Sequence, residues 1–254
     1  MPISIKSAGE LNLMRHAGRI VAQALALMAE QIRPGVTTAD LDAAAEALIR
    51  KEGASPSFKG YHGFPASICA SVNAEVVHGI PSKKRVLREG DLISVDVGAI
   101  YRGFHGDAAM TYCVGTPTPE QQRLMDVTQQ ALAAGIAQAR VENRLWNIIR
   151  AVETTTRAAG YDVLHNYRGH GIGREMHEDP DLPNSLSDSL GRPPNLPLKA
   201  GMTLAIEPMV VMGSGEPKVL DDGWTVVSAD GTLSAHFEHT IAIMDGEAEI
   251  LTRL

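Results

Sequence analysis

Leu92-Ile93-Ser94-Val95-Asp96-Val97-Gly98-Ala99-Ile100-Tyr101-Arg102-Gly103-Phe104-His105-Gly106-Asp107 is a largely apolar stretch that carries two carboxylates where a buried strand has no use for them. Leu92 to Ile100 reads as one strand and Ala108 to Val114 as its partner, with a turn near Tyr101-Arg102. Positions 96 and 107 are equidistant from 101.5, so such a hairpin sets Asp96 opposite Asp107 on one sheet face. Two carboxylates that close must share a proton or bind a cation.

Two more acids sit in the same kind of setting, Glu207 in Leu204-Ala205-Ile206-Glu207-Pro208-Met209 and Glu238 at the head of Glu238-His239-Thr240-Ile241-Ala242-Ile243. His170 stands between glycines in Tyr167-Arg168-Gly169-His170-Gly171-Ile172-Gly173, which would let backbone approach a ligand closely, and His177 follows. One imidazole with four carboxylates is a nitrogen and oxygen set whose charge balances two divalent ions; zinc, iron, manganese and cobalt are all admissible. A water bridging two such ions would be acidified to a hydroxide nucleophile near neutral pH, which implies a hydrolase rather than a redox centre.

Working outward, Leu11, Met14, Ile20, Val21, Leu25 and Met28 fall at helical spacings. So do Leu41, Ala44, Ala45, Leu48 and Ile49, with Thr38 or its neighbour as cap and Gly53 at the end. The order helix, helix, strands then recurs at an offset near 110, where Leu87 to Asp96 aligns with Leu198 to Glu207; a second, separate alignment places His105-Gly106-Asp107 over His236-Phe237-Glu238. This predicts one domain, residues 1–254, of mixed α/β (α+β) class, with pseudo-repeats about 10–115 and 120–246 and a site at their joint. Gly115 to Pro119 reads as the linker, and Asp179 to Pro197, with five prolines, as a long surface loop bordering the site.

The 254 residues, 44% apolar, suit a globular chain with a substantial core and exclude disorder or a fibre. Lys+Arg 23 against Asp+Glu 30 leaves a net charge of -7, which disfavours binding DNA or RNA, or an anionic membrane, by charge alone. Cys69 and Cys113 form neither a disulfide framework nor a zinc ribbon. With no secretion signal and no apolar run of roughly 18–20 residues, a soluble, cytoplasmic protein is expected, and a monomer is the default.

In this order the residues resemble the type I methionine aminopeptidases, metallopeptidases of the M24 type, over essentially the whole chain. The motifs that carry the likeness are Tyr61-His62-Gly63-Phe64-Pro65-Ala66-Ser67-Ile68-Cys69, Val77-His78-Gly79-Ile80-Pro81, Asp96-Val97-Gly98, Gly103-Phe104-His105-Gly106-Asp107, Gly169 to Gly173, Glu207-Pro208-Met209 and the Glu238 segment. The resemblance implies the pita-bread fold, a curved antiparallel sheet with outer helices and internal pseudo-two-fold symmetry. It makes Asp96 a bidentate ligand of one metal, Asp107 and Glu238 bridges, and His170 with Glu207 ligands of the other. Glu207 would also serve as general base, His177 as donor to the oxyanion, and His78 as a positioner of the peptide.

The same likeness implies a methionine pocket of Tyr61, Phe64, Cys69 and Trp224 with Met176 on the approach, and a monovalent-cation site (sodium or potassium) at Asn73, Glu75 and Ser234. Phe58 and Met176 depart from the family pattern, the first narrowing the pocket mouth and the second able to compensate. The other histidines, among them His62, His105 and His236, read as structural or supporting. The implied activity is removal of the initiator methionine from nascent polypeptide N-termini with a small second residue, at the ribosome. The alternatives are an Xaa-Pro aminopeptidase or prolidase, which usually carries a further N-terminal domain, and a non-catalytic binding module on the same scaffold.

Overall fold

The computed structural model describes residues 3–187 and 190–254. Its long helices come in two consecutive pairs, α1 (Ala8–Gln31) with α2 (Thr38–Lys51) and α3 (Pro119–Ala137) with α4 (Leu145–Ala158). Ser7 with Glu10, Thr37 with Asp40 and Thr118 with Gln121 form reciprocal capping boxes that satisfy the free amides of α1, α2 and α3. Thr37, not Thr38, is therefore the cap of α2. Gly53 and Gly160, at φ of 75° and 83°, turn the chain out of α2 and α4.

The central hairpin joins Leu92–Tyr101 to Phe104–Cys113, so the returning strand starts before the apolar stretch at Ala108. Its two-residue turn is Arg102-Gly103, with φ of 48° and 81°, the left-handed pair that a type I′ hairpin needs. The register consequently differs from the one expected: Asp107 pairs with Gly98, and Asp96 with Ala109. The two acids are diagonal neighbours rather than directly opposed, and a shift of two residues keeps them on the same face.

Strand alternation then divides the labour. Ile93, Val95, Val97, Ala99 and Ala108 enter a core with Val21, Leu25 and Met28 of α1 and Leu41, Ala45 and Ile49 of α2. Asp96 and Asp107, of opposite parity, point to the other face. In the second half, Leu124, Leu132, Ile148, Ile149 and Val152 of α3 and α4 cover Leu204, Ile206, Val210 and Ile241.

A five-stranded sheet runs in the order Glu249–Ile250, His239–Ala242, Thr203–Ile206, Arg168–Gly171, Glu178–Pro183, with every neighbouring pair antiparallel. Glu178–Pro183 is thus an edge strand where a loop was expected, and Pro180 and Pro183 are tolerated because an edge strand need not donate outward. Positions 188 and 189 of that segment lie outside the described residues.

The two halves are stitched together at their acids. The Glu238 amide donates to the Ala109 carbonyl at 2.9 Å, and the Asp107 amide to Thr240 Oγ1 at 3.0 Å. Thr111 Oγ1 both donates to the His236 carbonyl and accepts the His236 amide, at 2.9 and 2.8 Å. The mixed α/β class with antiparallel sheets and helices packed against them agrees with the sequence reading.

Candidate active site

The five expected metal ligands, the five expected methionine-pocket residues, His78 and His177 line one cavity of about 230 Å³. Its floor is acidic. Asp107, His170 and Glu238 offer ligand atoms that all lie within 4.8 Å of one another, and Glu207, His236 and Glu238 do the same. His170 Nε2 stands 3.5 Å from Glu207 Oε1. Its other nitrogen, Nδ1, lies 2.8 Å from the Gly171 carbonyl, which can only accept, so Nδ1 holds the hydrogen and the Nε2 lone pair faces the carboxylates.

Taken as side chains alone, this floor is electrostatically unresolved. Asp96 Oδ1, Asp107 Oδ1 and Glu238 Oε1 are buried without a hydrogen-bond partner. Burial pushes Asp96 up to about 7 and Glu207 up to about 8. It raises Asp107 and Glu238 well above the carboxylate range, with repulsion from neighbouring acids adding to it. Burial also lowers His170 to about 3, leaving the neutral imidazole that a metal ligand must be. Divalent cations would satisfy the orphaned oxygens and cancel the repulsion, so the donor set fits a metal centre.

The glycines beside His170 have a different purpose from the one read in the sequence. A Cβ on Gly169 would lie 2.4 Å from the Ala205 carbonyl oxygen, and one on Gly171 2.2 Å from that of Asp179. They let the flanking strands close on the His170 strand; the close approach is by backbone, not ligand.

Beside the acids the lining is apolar. Phe58, Phe64, Ala66, Cys69 and Met176 form a buried cluster edged by Tyr61, Ile80 and Trp224. The Phe64 and Trp224 rings meet edge to face at 5.1 Å. Gly98 makes room for Phe58, since a Cβ there would stand 2.8 Å from Phe58 Cε1. Cys69 pairs with Asp96 across the sheet, and burial drives its thiol well above the ordinary value, so it is a neutral wall and not a thiolate.

Two histidines complete the lining. His177 Nδ1 is 2.7 Å from the Tyr61 hydroxyl, and its ring lies 4.2 Å from that of His170. Burial lowers its pKa. His78 adopts φ of 60°, rare for a residue with a side chain, and burial pulls it down to about 4.

Two further imidazoles belong to the site that the sequence reading left in a supporting role. His62, at φ of 47°, lines the cavity with its ring edge-on to Tyr61 at 4.3 Å. His236 Nε2 is buried, without a hydrogen-bond partner, 3.6 Å from Glu207 Oε2. His236 ends the strand Ser234–His236, and the break before His239–Ala242 brings it beside Glu238, which the sequence spacing alone does not reveal. Away from the cavity, the expected monovalent-cation residues do come together, with Ser234 Oγ 2.9 Å from the Asn73 carbonyl and 3.1 Å from that of Glu75.

Residues 12–245 match the model of metallopeptidase family M24. A methionine aminopeptidase of Clostridium perfringens is 50% identical over 251 residues, covering 98% of each chain. The crystal structure of methionine aminopeptidase from Thermotoga maritima superposes with a TM-score of 0.95 at 44% identity, covering 99% of this chain and 100% of that one. The prolidase of Pyrococcus furiosus shares the fold, with a TM-score of 0.79 at 23% identity, but this chain covers only 65% of it. The architecture is the pita-bread fold, and the chain belongs to metallopeptidase family M24, alongside the methionine aminopeptidases.

Proposed function

We propose that this protein is a metal-dependent aminopeptidase that removes the N-terminal methionine from nascent polypeptides whose second residue is small. The observation that carries the reading is the cavity itself, in which four carboxyls, two of them buried, and His170 Nε2 share the lining with a cluster of unbranched and aromatic side chains. Asp96, Asp107, His170, Glu207 and Glu238 would hold two divalent ions. When bound, these supply Lewis acidity for the scissile carbonyl and for the attacking water.

The chain's own groups do the remainder. Glu207, at the edge of the floor, takes the proton from the nucleophile. His177, oriented through the Tyr61 hydroxyl, donates to the oxygen of the scissile carbonyl as charge develops there. His78 positions the peptide. Phe64, Cys69, Trp224 and Met176 receive the methionine side chain, with Phe58 and Tyr61 limiting its width.

Finer features belong to the same proposal. The Asn73 and Glu75 carbonyls and Ser234 Oγ converge as a monovalent-cation site. The two αα-then-strand segments are the pseudo-repeats, their acids meeting at the joint. The protein acts in the cytoplasm as a monomer on chains emerging from the ribosome. In support of the monomer, the large apolar residues exposed among the described ones, Ile5, Val86, Leu190, Val219 and Leu254, are distributed along the chain.

The test is to strip the protein of metal, titrate it separately with Mn²⁺, Co²⁺, Fe²⁺ and Zn²⁺, and follow Met-Ala-Ser and an Xaa-Pro tripeptide by mass spectrometry. Metal-dependent cleavage of Met-Ala-Ser alone is the expected result. Cleavage of the Xaa-Pro peptide alone would reassign the substrate, and no cleavage at confirmed metal occupancy would overturn the enzymatic reading.

A further inference from the structure

Lys6 is a charged residue with almost no access to water. Its side chain is 3% exposed, and Nζ lies 2.5 Å from Glu178 Oε2, itself in a side chain 12% exposed. A charge so deeply placed is strongly unfavourable unless it is paired, so this contact is a specific one. It joins the N-terminal segment to a residue 172 positions away, the immediate neighbour of His177.

The other oxygen of Glu178 shapes the loop before it. Oε1 accepts the Arg174 amide at 2.8 Å and the Glu175 amide at 3.3 Å, closing residues 174–178 into a turn around one carboxylate. Gly173 admits this arrangement, for a Cβ there would lie 2.5 Å from both Glu178 Oε1 and Lys6 Cε. Within that turn stand Met176, on the apolar wall, and His177, bonded to Tyr61. The N-terminal segment grips the turn a second time, with Glu10 3.3 Å from the Arg174 guanidinium, which also covers the Phe104 ring at 4.4 Å.

We propose that Lys6 and Glu178 are positioning residues for the reaction: the buried pair fixes the 174–178 turn and thereby the place of His177 over the scissile bond. The inference rests on the aminopeptidase reading. Neither residue lines the cavity, so neither touches substrate; Lys6 acts through Glu178, and Glu178 through the turn.

The experiment is a double-mutant cycle on the metal-loaded full chain, with kcat and KM for Met-Ala-Ser measured for Lys6→Met, His177→Ala and the double variant. Lys6→Met is expected to lower kcat by about 10- to 100-fold with KM little changed, the cost of a misplaced group. In the His177→Ala background the same substitution should cost nothing further. The His177 ring resonances of the metal-free protein should also shift in Lys6→Met.

If Lys6→Met does not fold, Lys6→Arg and Glu178→Gln enter the same cycle. The arginine retains the charge and should keep most of kcat; the glutamine retains an acceptor for the two amides and should fall between wild type and Glu178→Leu. Unchanged kcat in an active wild-type background, or an equal loss in both backgrounds, would overturn the proposal. A wild-type protein that fails to cleave Met-Ala-Ser would instead overturn the reading on which it rests.

Discussion

At the scale of single residues, the site was legible wherever its chemistry clashes with burial. A carboxylate in an apolar strand has no structural excuse, and so Asp96, Asp107, Glu207 and Glu238 could be picked out before any fold was known. Histidine gives no such signal, because an imidazole is as readily a satisfied core group as a ligand; for that reason His62 and His236 read from sequence only as supporting groups. Asp107→Asn keeps the volume but removes charge from an acid whose Oδ1 has no other partner. Metal affinity is expected to fall by more than the roughly 10–100-fold that outer-shell changes cost, with activity lost in step, as measured by calorimetry and metal analysis of the purified variant. Tyr61→Phe makes a smaller, cleaner change. It deletes the hydroxyl 2.7 Å from His177 Nδ1 while leaving the ring beside the apolar wall, so metal content should stay intact. Loss of one orienting hydrogen bond is expected to lower kcat about 3- to 10-fold with KM nearly constant, and a change confined to KM would contradict the assigned orientation.

Among the elements, helices were more readable than strand register. The caps Ser7, Thr37 and Thr118 act through residues three positions away, so their whole mechanism lies inside one turn of sequence. The hairpin register depends on which two residues take positive φ. Arg102 does so without being glycine, so the symmetric count about 101.5 placed the turn one residue early. The same limit applied to the glycines around His170, whose purpose is set by the carbonyls of strands far off in sequence. A pair of glycine substitutions separates the two kinds of glycine. Gly53→Ala places a side chain at φ of 75° with nothing within 4 Å, a strain of roughly 1–2 kcal/mol and no route to the metal site. Gly171→Ala drives a Cβ toward the Asp179 carbonyl and must spread the strand that carries His170. It should cost roughly 1–3 kcal/mol and weaken metal binding as well. Thermal melts with and without metal check this: both variants melt lower without it, but only Gly171→Ala should lose part of the metal-induced rise.

For the whole molecule, two segments meet along a seam made by hydroxyls and amides, and that seam sets the acids beside one another. Nothing in the sequence marks Thr111 and Thr240 as its fasteners, because a threonine in a strand is ordinary; only the acids they hold were conspicuous. The price of assembling them is a pH dependence that metal should remove. Asp96 at about 7 and Glu207 at about 8 lie above their unfolded values of about 4. The folded, metal-free chain therefore binds more protons than the unfolded one, and the stability this gives, complete below about pH 4, is lost as pH rises through 7 and 8. His78, His105 and His239, each lowered to about 4 by burial, act from the acid side. Their contribution is whole above about 6.5 and is lost as pH falls through their folded values. Above about pH 7.5 the histidines are neutral in both states; below that, those of the unfolded chain still take up protons, with or without metal, so the acids set the difference between the two forms, about 1.4 kcal/mol per pH unit for each proton still held. Divalent ions take the place of those protons. The difference in melting temperature between metal-loaded and chelator-treated protein should consequently widen from about pH 6.5 to 8.5, while the loaded protein levels off above about pH 7.5. Replacing Glu207 by glutamine removes one of the titrating acids and should flatten the metal-free curve; a gap that stays constant or narrows across this range would mean that the buried carboxyls are not what the metal relieves.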